Sequence, residues 1–237
     1  MNIFPAIDLF GGKAVRLYKG DYAQMTVYND NPAEVAEDFK KCGATHIHLV
    51  DLEGAKTGIP ANADVIGKIC DIFGGFVEVG GGIRNMDTVK KYIDAGVDRV
   101  ILGTAAVTDR KFLNEAVSVY GSKIAVGVDL KDGYVAIKGW TEVSEITAKD
   151  FFKQMQDIGV TAIICTDISK DGAMEGTNRQ LYKELSAEFD VNLIASGGVS
   201  SIEDVKALAQ MDIYGAIIGK AYYTGAIDLA KAIEVAK

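Results

Sequence analysis

Two aspartates stand where apolar runs break off, Asp8 in FPAIDL and Asp129 in AVGVDL. A carboxyl at the end of a buried run is partly desolvated. That raises its pKa and can keep one of two such groups protonated near neutral pH. One ionised and one protonated carboxyl on opposite walls make a base and an acid for moving protons. Asp171, in TDISKDG, is a third acid, or else the turn residue of an Asp-Gly pair. Thr166 supplies a hydroxyl that can orient a carboxyl or a substrate oxygen. Asp51 and Asp167 repeat the pattern of an acid closing an apolar run. They read equally well as caps on backbone N–H groups.

The second chemistry is anion binding. Gly81-Gly82 in VEVGGGIR and Gly197-Gly198 in LIASGGVS each follow an apolar run and precede a helical pattern, with Ser196 beside the second pair. Glycine allows positive φ and close backbone approach, so successive N–H groups can form an anion nest beside a helix start. Gly103-Thr104 and Gly219-Lys220 offer a second such turn near each pair. Two neighbouring turns cradle one phosphate, and two cradles predict a ligand phosphorylated at both ends. The competing reading is that these glycines only make tight turns or let helices pack.

Arg16 and Arg84 fall on ligand-side loops and can fork onto phosphate or carboxamide oxygen, or lie solvated. Trp140, the only tryptophan, sits in the polar stretch KGWTE and either stacks on a flat ring or anchors a loop. His46 and His48 share one strand face without a matching His or Cys elsewhere. They read as hydrogen-bonding residues rather than metal ligands, and His48 joins the ligand-binding set. No dinucleotide or nucleotide loop, nucleophile elbow or Schiff-base signature stands out. Proton transfer without cofactor or metal is what remains.

Something must hold these groups in register. Apolar runs of strand length at 2–8, 45–51, 76–80, 99–103, 123–129, 162–167, 192–196 and 216–219 alternate with amphipathic stretches near 32–42, 62–72, 86–95, 109–119, 147–158, 178–189, 201–210 and 226–236. Asn31-Pro32 signals a helix start, and acids at Asp87 and Glu203-Asp204 suit first turns. The strands are apolar on both faces, as buried parallel strands require. Eight β–α units in 237 residues predict an α/β fold of the (β/α)8 TIM-barrel class, one domain over 1–237, with a doubly wound open sheet as the alternative. Three landmark pairs share a spacing of 116 positions: 51 to 167, 81 to 197 and 103 to 219. Asp8 and Asp129 lie 121 apart, so the register slips only in loops. The chain reads as two four-unit half-barrels carrying the same equipment.

A net charge of −8 with no basic run makes nucleic acid and anionic membranes poor partners. Cys42, Cys70 and Cys165 are odd in number and widely spaced, as expected of free thiols in a reducing cytoplasm. The opening MNIFPAIDLF has neither the basic start nor the cleavage-like site of a signal peptide. A monomer acting on a small bis-phosphorylated molecule is the expectation.

The motifs FPAIDL, GGKAVRL, IHLVDL, GGGIR, GVDL, GW, TDISKDG, ASGGVS and IIGKA, spread from end to end, resemble the phosphoribosylformimino-5-aminoimidazole carboxamide ribotide isomerases of histidine biosynthesis. The resemblance implies a cofactor-free barrel and an Amadori rearrangement of an aminoaldose to an aminoketose. It implies Asp8 as base and Asp129 as acid, and it leaves Asp171 able to share or take the acid role. By the same resemblance Trp140 stacks on the imidazole, Arg16 and Arg84 hold the far end of the ligand, and the loops close over it. The cyclase subunit of imidazole glycerol phosphate synthase is a sister family. It typically has Cys-Leu-Asp on the first strand and Lys at the Arg16 position, so Ala6-Ile7-Asp8 and Arg16 side with the isomerases. A dual enzyme that also isomerises phosphoribosylanthranilate, and a non-catalytic phosphosugar binder, are the further alternatives.

Overall fold

The computed structural model describes residues 1–18, 20–137, 140 and 142–237. Twelve strands lie among these residues: β1 (Asn2–Phe10), β2 (Lys13–Tyr18), β3 (Asp21–Asn29), β4 (His46–Asp51), β5 (Phe76–Gly80), β6 (Arg99–Leu102), β7 (Ile124–Lys131), β8 (Tyr134–Ile137), β9 (Glu142–Thr147), β10 (Ala162–Asp167), β11 (Asn192–Ser196) and β12 (Gly215–Ile218). Eight of them, in the order β1-β4-β5-β6-β7-β10-β11-β12, pair in parallel, and β12 pairs back onto β1. The sheet is therefore a closed (β/α)8 barrel, and the open-sheet alternative falls. β6 and β12 are buried along their whole length, which their RVIL and GAII sequences permit only with both faces covered.

The eight expected helices appear as α1 (Pro32–Lys41), α3 (Ala63–Phe73), α4 (Met86–Asp94), α6 (Arg110–Tyr120), α7 (Ala148–Ile158), α8 (Arg179–Glu188), α9 (Ile202–Ala209) and α11 (Leu229–Val235). Three short ones were not foreseen: α2 (Leu52–Thr57), α5 (Thr104–Thr108) and α10 (Lys220–Tyr223). Pro32 opens α1 as expected, but the Asn31 side chain makes no cap. It donates instead to Glu34 Oε1 at 3.1 Å. At α9 the acids do more than meet the helix dipole, since Ser201 and Asp204 form a reciprocal capping box. Two apolar layers result. The larger lies between barrel and helices. The smaller fills the lumen with Phe4, Ala6, Ile101, Ala125, Ile164, Ile194 and Ile217.

The main departure from the sequence reading is at Asp8 and Asp129. Neither ends its strand, because β1 runs on to Phe10 and β7 to Lys131. Beyond each aspartate the strand folds back as an antiparallel hairpin, with Asp8 opposite Val15 and Asp129 opposite Ala136. The turns are Gly11-Gly12 (φ 59° and 74°) and Asp132-Gly133 (φ 53° and 84°). Two successive positive φ values match the right-handed twist of the flanking strands. β3 and β9 add a third strand to each hairpin. Each half thus raises one antiparallel flap above the barrel, at equivalent places.

Candidate active site

The loops that follow the barrel strands enclose a cavity of about 340 Å³, a fair size for a small-molecule site. Asp8, Asp129, Asp171 and Thr166 all line it, as do Arg16, His48 and Trp140. Gly81, Gly103, Ser196, Gly197, Gly198, Gly219 and Lys220 complete its rim. Gly82, Arg84 and Thr104 do not line it. Gly82 packs against the start of α2, where a Cβ would overlap the Gly54 carbonyl. Arg84 donates to the Ala55 carbonyl at 3.2 Å and lies over Gly58. Thr104 is exposed at the first turn of α5.

The three acids are held differently. Asp8 pairs with Arg16, Oδ2 to Nη1 at 2.7 Å. Arg16 comes from β2, so the first flap supplies the cation for the acid it grows from. Its guanidinium lies 5.5 Å from the Tyr223 ring centroid and against Gly219, where any side chain would displace it. Arg16 Nε is buried and has no hydrogen-bond partner among the described residues. Burial pushes the Asp129 carboxyl up, against hydrogen bonds from Trp140 and Thr166 and with the nearby charge of Asp171. Asp171 is also pushed up, first by burial, with Arg16 and Lys220 pulling it back and Asp8 adding to the rise. Two carboxyls that favour their protons thus face one that is ion-paired, which is the division a base and an acid need.

Trp140 acts from the other flap. Its indole bonds the Asp129 carboxylate, and its ring edge lies 3.6 Å from where a Cβ on Gly20 would stand. Gly20 is the tip of the first flap, so the two flaps meet over the cavity. Lys220 Nζ donates to the Gly172 carbonyl at 2.9 Å and ties the loop bearing Asp171 to the rim.

The glycine pairs serve two purposes at once. Gly81 and Gly82 have φ of 119° and 67°, Gly197 and Gly198 of 92° and 79°. Side chains at Gly81 and Gly197 would strike the carbonyls of Asp51 and Asp167, and at Gly198 that of Gly176. Their identity is therefore demanded by packing as well as by any ligand. Gly103 and Gly219 share one conformation, φ −91° and ψ −111° against φ −104° and ψ −105°, and each begins a short helix without a side-chain cap. The two halves present the same backbone to the cavity.

Asp51 and Asp167 prove to be scaffold. Asp51 is fully buried and accepts from Gly54 N, Asn62 N, Asn62 Nδ2 and Tyr92 OH at 2.7–3.1 Å. Asp167 accepts from Ser169 N and Oγ and from Asn178 Nδ2 at 2.6–2.9 Å. Asn62 and Asn178 are themselves 116 positions apart, so the repeat extends to the partners of these acids. His46 packs among Phe4, Phe76 and Tyr214 below the cavity, away from any ligand. Sequence reasoning passed over Glu78 and Arg99, which pair beneath His48 inside the barrel. The signal was present: a lone charge inside each of the strands FVEVG and RVIL.

A family model described as histidine biosynthesis protein matches residues 2–228. The chain belongs to the histidine biosynthesis protein family. Relatives within this family are close over their full length. One from Bacillus anthracis is 52% identical over 237 residues, covering 100% of this chain and 99% of the relative. One from Clostridium botulinum is 51% identical over 235 residues, covering 99% and 97%. Both are named 1-(5-phosphoribosyl)-5-((5-phosphoribosylamino)methylideneamino) imidazole-4-carboxamide isomerase. The half-barrel repeat is visible in the matched backbone conformations of Gly103 and Gly219.

Proposed function

We propose that this chain is an isomerase that carries out, in histidine biosynthesis, the Amadori rearrangement of the bis-phosphorylated aminoaldose for which its relatives are named. The carrying observation is the arrangement of the acids. An ion-paired Asp8 shares a glycine-rimmed cavity of about 340 Å³ with two carboxyls that burial pushes up. The acid protonates the ribose ring oxygen, and the ring opens to an iminium. Asp8 removes the C2 proton, giving an enolamine that tautomerises to the ketone. The acid role falls to Asp129, and Asp171, whose carboxyl burial also pushes up, is placed to share or take it. Only protons move, so these side chains suffice without cofactor or metal.

The two glycine rims take the two phosphates. Arg16, with a donor unpaired among the described residues, takes a ligand oxygen. Trp140, at the roof, covers the imidazole. His48, Gly82, Arg84 and Thr104 complete the binding set as the flaps adjust around the ligand. On this reading the protein works as one barrel domain, monomeric, in the cytoplasm. No helix among the described residues is long and apolar enough to cross a membrane.

The test is turnover of the aminoaldose by the purified chain, with phosphoribosylanthranilate in parallel to detect dual activity. Asp8→Asn should lower kcat by about 10²–10⁴ while product still binds. Full turnover by that variant removes Asp8 from the base role, and no turnover by the unaltered chain refutes the assignment. Ser196→Asp sets a charge against the second rim and should weaken binding. Gly81→Asp would be a poor probe because the Asp51 backbone leaves no room for it.

A further inference from the structure

The cradles and acids of the two half-barrels match, but the lumen beneath them does not. His48, Glu78 and Arg99 lie 116 positions before Ile164, Ile194 and Gly215. The first half carries a polar chain where the second carries aliphatic side chains and a glycine. Arg99 Nε donates to Glu78 Oε2 at 2.9 Å, and His48 Nδ1 meets Glu78 Oε1 at 2.7 Å. Glu78 is completely buried, and Arg99 is 3% exposed. The Arg99 guanidinium lies 4.9 Å from the Phe76 ring centroid, closing the chain at the bottom of the barrel. In the second half Phe4 packs so close to Gly215 that no side chain fits there.

A buried polar chain in an otherwise apolar lumen needs every member satisfied, and this one is satisfied downward. Burial alone would push Glu78 up, but His48 and Arg99 together hold it below the usual carboxylate range. The Glu78 contact engages His48 Nδ1 and fixes the ring. Nε2 has no partner among the described residues, on a side chain that lines the cavity. Ile164, its counterpart on β10, lines the same cavity and can accept nothing.

A pseudo-symmetric site with a phosphate cradle at each end has a difficulty that this asymmetry answers. A ligand with two phosphorylated ends fits such cradles in either direction, yet only one direction sets the reacting sugar correctly between the acids. We infer that His48, held in one orientation by Glu78 and Arg99, is the residue that tells the two ends of the bis-phosphorylated ligand apart. It forms a hydrogen bond with a sugar hydroxyl that only the productive direction brings to β4. Glu78 and Arg99 are positioning residues. The inference rests on the isomerase reading, because it needs a ligand with two unlike ends.

The experiment is phosphorus NMR of the full chain saturated with the aminoketose product. One direction gives two bound signals, one per cradle, and two directions give four. The unaltered chain should show two. His48→Ile copies the second half, leaves the Glu78–Arg99 pair in place and should show four. Its kcat should fall about twofold as the reversed, idle complex fills. His48→Gln restores a hydrogen-bonding group and should return to two signals. A merely structural histidine would lower the melting temperature but leave the number of signals at two. Two signals from His48→Ile overturn the inference. If the unaltered chain neither binds product nor turns over substrate, the isomerase reading falls and takes this with it. If it does both and His48→Ile still shows two signals, only this inference falls.

Discussion

Asp51 and Asp8 follow apolar runs on adjacent strands, yet they are predicted to answer mutation in opposite ways. Asp51 has no exposed surface and takes four hydrogen bonds, two of them from backbone N–H groups. Asp51→Ala strands four donors in a buried place. An unpaired buried donor costs about 1–3 kcal/mol, so even the low end gives about 4 kcal/mol. For a chain of this length each kcal/mol moves the melting temperature by about 2–4 °C, and the predicted fall is about 8–16 °C. Asp167, with three such bonds, should fall less on the same change. The assay is a thermal melt followed by circular dichroism, with turnover measured on the same samples at a temperature where each is folded. Asp8→Asn is the control, expected to melt close to the unaltered chain while losing turnover. If Asp51→Ala melts within about 3 °C of the unaltered chain but is inactive, the division between scaffold and reacting carboxyls is wrong.

Two further outcomes follow from the same geometry. Asp129 has a folded pKa above its ordinary 3.8, so its ionisation penalty is absent below that pH and grows as pH rises through the folded value. Asp129→Asn should therefore raise the melting temperature at pH 7.5, with the gain shrinking towards pH 4; a gain independent of pH would show that the carboxyl is not penalised by burial. Gly12 and Gly82 have similar positive φ, but only at Gly82 does a Cβ meet backbone. By urea unfolding, Gly12→Ala should lose about 1 kcal/mol and Gly82→Ala about 3 kcal/mol or more, and equal losses would refute the packing account.

Much of the architecture was legible in the residues. Strands buried on both faces must be continuously apolar, so all eight barrel strands could be read within a few positions. The repeat was legible because two halves that share backbone geometry must place glycine at the same points. The flaps were also written in the chain, as Gly11-Gly12 between LF and KAV and Asp132-Gly133 between LK and YVA. That is a hairpin signal of two residues, easily lost beside a strand already accounted for. The short helices α2, α5 and α10 lacked the length for a periodic pattern.

What the residues determined alone was the order of the units, the parallel strands buried on both faces and the edge at which the glycines and acids collect, because these follow from local periodicity and from glycine's lack of a side chain; closure of the sheet needed the pairing of β12 with β1. Tertiary structure decided which acids face the cavity. Asp8, Asp51, Asp129 and Asp167 look alike in sequence, and their roles separate only through neighbours brought from elsewhere: Asn62 and Tyr92 around Asp51, Arg16 beside Asp8, Trp140 and Thr166 on Asp129. A carboxyl's proton affinity is set by burial and by the donors and charges within a few ångströms, and in a closed barrel those come from strands far apart along the chain.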